Sequence, residues 1–244
     1  MKLLRYDCRR LPGCSGLVGV DEAGRGAFAG PVVAAAVWFD TAFYQDQRRR
    51  AGRRVNDSKQ LTAAQRTECF AVIEEWRAEG LARVAVASAS VEEIAAHNIF
   101  GATRLAMDRC LQALHALTGG LPTAGEDTPL FAAAAAPPLR PRILVDGRPL
   151  RPFSWPHEGL IDGDAKSFAI AAASIVAKVT RDRKMVELDG EYPGYGLARH
   201  KGYGTKAHCA ALREKGPCRV HRPLFLRKLA LESPPAQQAE IMWR

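Results

Sequence analysis

The fold of this chain is set by the stretch GLVGVDEAGRG at 16–26. Its first five residues are small or apolar, which is typical of a buried strand. Asp21 and Glu22 follow at once, and the glycines after them indicate a turn at the end of that strand. The next stretch, GPVVAAAVWF at 30–39, is rich in β-branched and small residues and predicts a second strand that pairs with the first.

Beyond these two strands, the spacing of the apolar residues is in turn that of a helix and that of a strand. Thr62 is a candidate helix cap, and Ser90 with Glu93 forms a capping-box signature. The predicted strands lie at 16–20, 30–39, 81–90 and 142–147, and the predicted helices at 63–80, 91–117, within 163–189 and at about 205–215. This order predicts an α/β domain with a mixed central sheet flanked by helices.

The length of 244 residues is ample for one α/β domain and marginal for two. We predict a single domain over 13–228 and a tail over 229–244. Gly, Pro and Ala dominate 118–142, which predicts a flexible insertion. Five arginines in 41–54 predict a solvated loop.

Composition limits the location and the partners of the chain. No run approaches the roughly 20 apolar residues of a membrane helix, and the N-terminus has no apolar signal region, so a cytoplasmic location is expected. The six cysteines form no CxxC pair, which favours structural thiols in a reducing compartment over a zinc site or a disulfide framework. A net charge of +9 indicates a polyanionic partner such as nucleic acid, although many basic proteins bind none.

Four acids lie where a sheet of this kind places its functional groups. Asp21, Glu22 and Asp146 end apolar strands, and Asp164 precedes the helix rich in small residues. Strand ends meet at the rim of an α/β sheet, where ligands bind. Oxygen ligands without His or Cys suit Mg²⁺ or Mn²⁺, and hard cations with a phosphate partner indicate two-metal phosphoryl chemistry.

The same acids have an ordinary structural interpretation. An Asp after a strand often forms a turn or caps a helix, and Asp146 followed by glycine is a common turn pair. Asp57, Asp162 and Asp182 look similar in their local sequence, so spacing alone does not rank them against Asp164.

Seven segments, taken in order, resemble the motifs of the ribonuclease HII family, the type 2 ribonucleases H. They are GVDEAGRGAFAGPVVAAAV (19–37), NDSKQL (56–61), SVEEIAAHNIFGATRLAM (90–107), LVDG (144–147), GDAKSFAIAAASIVAKVTRDR (163–183), YPGYGLARHKGYGT (192–205) and HRPLF (221–225). One such motif would be weak, but seven in order over about 200 residues are highly specific.

The resemblance implies a ribonuclease H-like fold with a helical, substrate-binding C-terminal subregion at about 189–228. It also implies a metal site formed by Asp21, Glu22, Asp146 and Asp164, and it selects Asp164 over Asp162. The expected cofactor is Mn²⁺ or Mg²⁺.

The resemblance also implies how the substrate is recognised. Gly24, Arg25 and Gly26 correspond to the element that reads the ribose 2′-hydroxyl, the group that distinguishes RNA from DNA. Tyr203 corresponds to the tyrosine that stacks on the sugar beside the junction, although a structural turn tyrosine is the plainer interpretation. Ala27 and Phe28 replace the family's usual Pro-Leu, which we expect to be a neutral packing change.

Several basic residues remain candidates for less specific roles. Lys59 and Lys166 are predicted substrate contacts, and Lys178 and Arg181 are plausible phosphate contacts, although each could equally be a solvated charge. The remaining candidates are three histidines, which we expect to be structural or substrate-side residues and not metal ligands: His200, His208 and His221.

The activity implied is an endonuclease that hydrolyses the RNA strand of RNA–DNA hybrids and cuts 5′ to ribonucleotides embedded in duplex DNA. Its products would carry 3′-hydroxyl and 5′-phosphate ends, and its role would be ribonucleotide removal from DNA. We expect a monomer without membrane association. Two alternatives stay open: a non-catalytic hybrid-binding protein, and a ribonuclease H-like transposase or DNA nuclease.

Overall fold

The computed structural model describes residues 2–46, 55, 61–123 and 139–230. Its strands are β1 Gly16–Ala23, β2 Val32–Asp40, β3 Ala82–Ala89, β4 Arg142–Asp146 and β5 His157–Leu160. Its helices are α1 Lys2–Cys8, α2 Thr41–Gln45, α3 Ala63–Ala78, α4 Val91–Thr118, α5 Phe168–Glu191, α6 Leu197–His200, α7 Lys206–Lys215 and α8 Pro223–Ala230, with a 3₁₀ turn at Gly163–Ala165.

The five strands form one mixed sheet in the order β3-β2-β1-β4-β5. The pairs β1–β2 and β2–β3 are antiparallel, whereas β1–β4 and β4–β5 are parallel. The mixed sheet predicted from sequence is therefore confirmed. Because β1 and β4 run in the same direction side by side, their carboxyl ends meet at one edge of the sheet.

Alternation along β1 separates two apolar layers. Leu17 packs into the layer on the α5 side of the sheet, while Val18 and Val20 pack into the layer that contains α4. A Cβ at Gly19 would collide with the backbone of Ala169 in α5. Glycine at this position therefore lets the helix rich in small residues lie directly on the central strand.

Both predicted helix caps are confirmed. Thr62 caps α3 and Ser90 caps α4, and each forms a complete capping box. The unbroken helix predicted over 91–117 is wrong at one point, because Asn98 leaves the helical conformation with φ 54° and ψ 175°. Its side-chain oxygen accepts the N–H groups of Phe100 and Gly101, so Asn98 caps a second helical segment within α4.

Two predicted loops contain ordered, buried residues. The 41–54 segment begins with α2, whose Phe43 and Tyr44 lie in the apolar core, so a solvated loop is wrong for 41–45. Of the 118–142 segment, Leu121 is fully buried and its carbonyl accepts from Arg140. Residues 47–54 and 124–138, and the tail from 231, lie outside the described residues.

Several elements were not predicted from sequence, among them α1 and the edge strand β5. Strand β5 is short and only half-buried, so it has no strong apolar pattern. Within the part of the chain described, none of the helices combines the length and apolar character needed to span a bilayer.

Candidate active site

The adjacent carboxyl ends of β1 and β4 each bring an acid to the rim of the sheet. In the parallel register Val20 pairs with Val145, so the next residues, Asp21 and Asp146, occupy neighbouring positions on adjacent strands. Side chains paired in this way project from the same face of a sheet. For Asp21 that face is the one covered by α5, where the hydroxyl of Ser174 hydrogen-bonds to its carboxyl group.

Asp21 is buried, and its oxygen Oδ1 accepts the N–H of Glu22 at 2.7 Å. Its pKa is raised well above the usual value, first by burial and then by the negative charges of Glu22 and Asp146. The hydrogen bonds from Ser174 and from the Glu22 backbone act in the opposite direction. Three of the four predicted acids therefore interact electrostatically at one point.

The fourth acid is carried to the same edge by the 3₁₀ turn. Oxygen Oδ1 of Asp146 accepts the N–H of Gly163 at 2.6 Å, which ties the end of β4 to this turn. Asp164, the next residue, is 1% exposed, whereas Asp162 is exposed and adopts a left-handed backbone conformation. The side chain of Asp164 is therefore buried, and that of Asp162 is exposed to solvent.

The other two acids that spacing left open do not join this group. Asp182 lies on α5 and forms an ion pair with Lys178 at 2.8 Å. Asp57 lies outside the described residues.

The donor chemistry of the four acids fits a hard divalent cation. Carboxylate oxygens are the preferred ligands of Mg²⁺ and Mn²⁺, and a cation would offset the mutual repulsion that raises the pKa of Asp21. Over the described ranges, no three His, Cys, Asp or Glu side chains form a ready-made metal cluster. Glu22 instead pairs with Arg25, Oε1 to Nη1 at 3.0 Å, so a cation at Glu22 would compete with this ion pair.

The glycine-rich loop after β1 has two glycines with different requirements. Gly24 has φ +96°, and a Cβ there would collide with the guanidinium of Arg181, so the fold itself needs glycine. At Gly26 a Cβ would meet no atom within 4 Å. The missing side chain at Gly26 therefore leaves open space beside the exposed Arg25, whose guanidinium lies 5.3 Å from the ring centre of Phe100.

Arg181 has a structural role, and its prediction as a phosphate contact is wrong. Its side chain is fully buried and donates to the carbonyl oxygens of Ala29, Pro31 and Lys201. These bonds join the loop after β1 to the turn after α6. A buried guanidinium committed to three carbonyls is not available to a phosphate.

A second buried arginine was missed from sequence. Arg222, 1% exposed, donates to the carbonyls of Gly30 and Arg25 at 2.9 and 3.1 Å. Burial, with the charge of Arg181 adding to it, lowers the pKa of Arg222 to about 9. Its position in the HRPLF segment was the available signal, but nothing local distinguishes it from a surface arginine.

Tyr203 lies on the turn after α6, which Arg181 joins to the loop after β1. The carbonyl of Gly202 accepts the N–H groups of Phe28 and Ala29, which connects the two segments directly. The half-buried Tyr203 ring has the cations of Lys178 and Arg181 at 5.5 and 5.4 Å from its centre. The structure therefore places Tyr203 beside the glycine-rich loop.

The remaining predicted substrate lysines are not brought to this turn by any described contact. Lys166 is exposed and donates to the carbonyl of Ile161 at 2.6 Å across the 3₁₀ turn. Lys59 lies outside the described residues. Phe28, which replaces the family's usual leucine, packs its ring so closely on Gly204 that a Cβ there would collide with it.

The histidine stack beneath the Tyr203 turn comprises three residues: His221 hydrogen-bonds to His208, and the ring of His200 stacks on that of His208. The N–H of Cys218 donates to Nδ1 of His221 at 3.0 Å, so the ring proton of His221 is on Nε2 and faces Nε2 of His208 at 3.1 Å. Nδ1 of His208 then donates to the carbonyl of Tyr203 at 3.0 Å, and His200 stacks on His208 at 4.2 Å. These contacts within the protein support the structural role, one of the two roles expected for these histidines.

Solved structures define the class of the fold. A ribonuclease H2 from Pyrococcus horikoshii OT3 superposes with a TM-score of 0.61 at 23% identity, covering 89% of this chain and 98% of that one. A Bst-RNase HIII in complex with Mn²⁺ superposes with a TM-score of 0.58 at 20% identity, covering 85% and 65%. The fold is ribonuclease H-like.

Sequence comparison defines the family within that class. The family model for Ribonuclease HII matches residues 18–228. A ribonuclease HII of Acidovorax sp. (strain JS42) is 47% identical over 212 residues, 86% of this chain and 85% of that protein. One of Geobacillus thermodenitrificans (strain NG80-2) is 42% identical over 226 residues, covering 92% and 74%. The chain belongs to the ribonuclease HII family.

Proposed function

We propose that the chain is an endonuclease that hydrolyses the RNA strand of RNA–DNA hybrids and cuts 5′ to ribonucleotides embedded in duplex DNA. The observation that carries this is the acidic edge of the sheet. The negative charges of Glu22 and Asp146 act on Asp21, and Asp146 accepts a hydrogen bond from the turn that holds the buried Asp164. Membership of the ribonuclease HII family supports the same activity.

In this proposal Asp21, Glu22, Asp146 and Asp164 hold two Mn²⁺ or Mg²⁺ ions. The ions would supply an activated water and stabilise the leaving oxygen, which gives 3′-hydroxyl and 5′-phosphate products. The Mn²⁺ complex of the similarly folded RNase HIII agrees with this choice of cation. The protein contributes a rigid frame, because β1, β4 and the 3₁₀ turn are joined by main-chain and carboxylate hydrogen bonds.

The protein groups proposed to read the ribose are the open loop at Gly24, Arg25 and Gly26 and the adjacent Tyr203. The space beside Gly26 would let a sugar approach the loop backbone closely. The hydrogen bonds between the loop and the turn after α6 fix the position of Tyr203 relative to that space. A monomeric state and a cytoplasmic location remain predictions from sequence.

Cleavage of a DNA duplex with one embedded ribonucleotide tests the proposal. We expect a single Mn²⁺- or Mg²⁺-dependent cut 5′ to the ribonucleotide that EDTA abolishes. Asp146→Asn should abolish the cut and keep the fold, while Asp162→Asn, the exposed neighbour of the site, should cleave like the unmodified protein. Equal cleavage of a duplex that has no ribonucleotide would favour the DNA nuclease alternative. Tight binding to a hybrid without any cut would favour the non-catalytic one.

A further inference from the structure

A buried carboxylate outside the matched family region contacts the helix next to the site. Asp7 lies in the last turn of helix α1, eleven residues before the match at 18–228 begins, and its side chain is fully buried. One oxygen accepts from the hydroxyl of Tyr44 and from the N–H of Ala169, each at 3.0 Å, and the hydroxyl of Ser167 also hydrogen-bonds to the group. Burial raises the pKa of Asp7 to about 6 despite these donors.

The N-terminus of α5 is the structural element that Asp7 contacts. The first N–H groups of a helix lack partners within the helix and favour a negative charge. Ser167 caps α5 in the ordinary way, by accepting from the N–H of Ile170. Asp7 satisfies the N–H of Ala169, so one helix end has two caps, of which one comes from 162 residues away in the chain.

This helix end is linked to the acidic site by two short routes. The N–H of Ser167 donates at 2.7 Å to the carbonyl of Gly163, whose own N–H donates to Asp146. On the other side, Ala169 lies against Gly19, two residues before Asp21. A shift of the first turn of α5 would therefore move the 3₁₀ turn and the packing under β1 together.

We propose that Asp7 is a positioning residue for the acidic site: it holds the first turn of α5 so that the 3₁₀ turn keeps Asp164 and Asp146 in place. The metal-binding part of this inference rests on the proposed function. The structural part, the order of the 3₁₀ turn, does not. A buried carboxylate is costly to desolvate, so a purely apolar contact would stabilise the core more simply.

The first test measures hydrogen exchange at the Gly163 amide and needs neither metal nor substrate. In Asp7→Asn and Asp7→Ala we expect this amide to exchange about tenfold faster, while amides in the middle of α4 keep their rates. Ser90→Ala is the matched control, because Ser90 accepts the N–H of Glu93 to cap α4, which packs in the apolar layer on the other face of the sheet from Asp7. It should lower stability without changing exchange at Gly163.

The second test measures Mn²⁺ binding to the protein alone by calorimetry, followed by kcat and KM. Loss of a residue that supports metal ligands typically weakens metal affinity about tenfold or more. We expect that loss in Asp7→Ala and a smaller one in Asp7→Asn. Both variants should have a lower kcat with little change in KM, and Mn²⁺ binding should be unchanged in Ser90→Ala.

Unchanged exchange at Gly163 and unchanged Mn²⁺ affinity in a folded Asp7→Asn would overturn the proposal and leave Asp7 with a role in stability only. If Asp7→Ala does not fold, Asp7→Asn decides the question through the same two measurements. An unmodified protein that shows no metal-dependent cleavage would refute the proposed function, while the exchange result would still decide the role of Asp7.

Discussion

Acidification is expected to destabilise the turn that carries Tyr203. Protonation of the histidine stack beneath the turn would break the hydrogen bond between His208 and His221. Each ring nitrogen at the contact between His208 and His221 is committed, one as donor and one as acceptor. A second proton would place two N–H groups face to face. Burial and the nearby His208 lower the pKa of His221 to about 4, and burial also lowers the pKa of His208.

The size of this loss in the free energy of unfolding follows from the difference between the folded and unfolded pKa values of His221. The unfolded histidine gains a proton below about pH 6.5, whereas the folded one stays neutral until about pH 4. Its contribution to the free energy of unfolding is therefore complete above pH 6.5 and is lost as the pH falls toward 4. Between about pH 7.5 and about pH 4.5 the loss is about 2.5 kcal/mol.

Other groups near the stack and elsewhere titrate in the same interval, so the assay compares two proteins. His200 stacks on His208, and the cations of Arg181 and Arg222 lie beyond Tyr203. Asp7, at the N-terminus of α5, has a raised pKa and so acts in the opposite direction, stabilising the fold as the pH falls through about 6.

Urea unfolding of the unmodified protein and of His221→Asn is measured at each pH, and their free energies of unfolding are subtracted. The advantage of the unmodified protein should shrink by about 2.5 kcal/mol between the two pH values. Parallel curves for the two proteins would refute the reasoning, because they would show that His221 takes up its proton without leaving the stack.

Three further predictions concern the loop after β1 and the interrupted helix. Gly24→Ala should destabilise the fold by about 2 kcal/mol or more, because it strains a left-handed position and collides with Arg181, while Gly26→Ala should change the urea midpoint little and raise KM for an embedded ribonucleotide. Equal stability losses in both variants would contradict this difference. Arg222→Lys should cost about 2 to 4 kcal/mol in urea unfolding, because one ammonium cannot reach both carbonyls of the loop. Asn98→Ala should lower stability by about 1 kcal/mol by removing the cap of the second helical segment, and an unchanged melting temperature would show that this cap is not needed.

Much of the sheet was predictable from sequence because local chemistry and tertiary structure agree there. Strand β1 is glycine or apolar from Gly16 to Val20, and both capping boxes use side chains three residues apart. The prediction of a solvated loop was wrong for Phe43 and Tyr44, because two aromatic residues close to a run of arginines resemble part of a polar loop in sequence. It also missed the break at Asn98, because the apolar spacing continues across it.

By itself the sequence determined which residues are acids at strand ends, because this is a local property of neighbouring residues. Spacing did not rank Asp164 against Asp162; the resemblance of the motifs to the ribonuclease HII family selected it. Only the tertiary structure decided that Arg181 and Arg222 are buried and donate to main-chain carbonyls. It also decided that three histidines come into contact and that Asp7 reaches the first turn of α5. Each of these depends on groups far apart in the chain, and whether a charged side chain is solvated or buried is set by what packs over it.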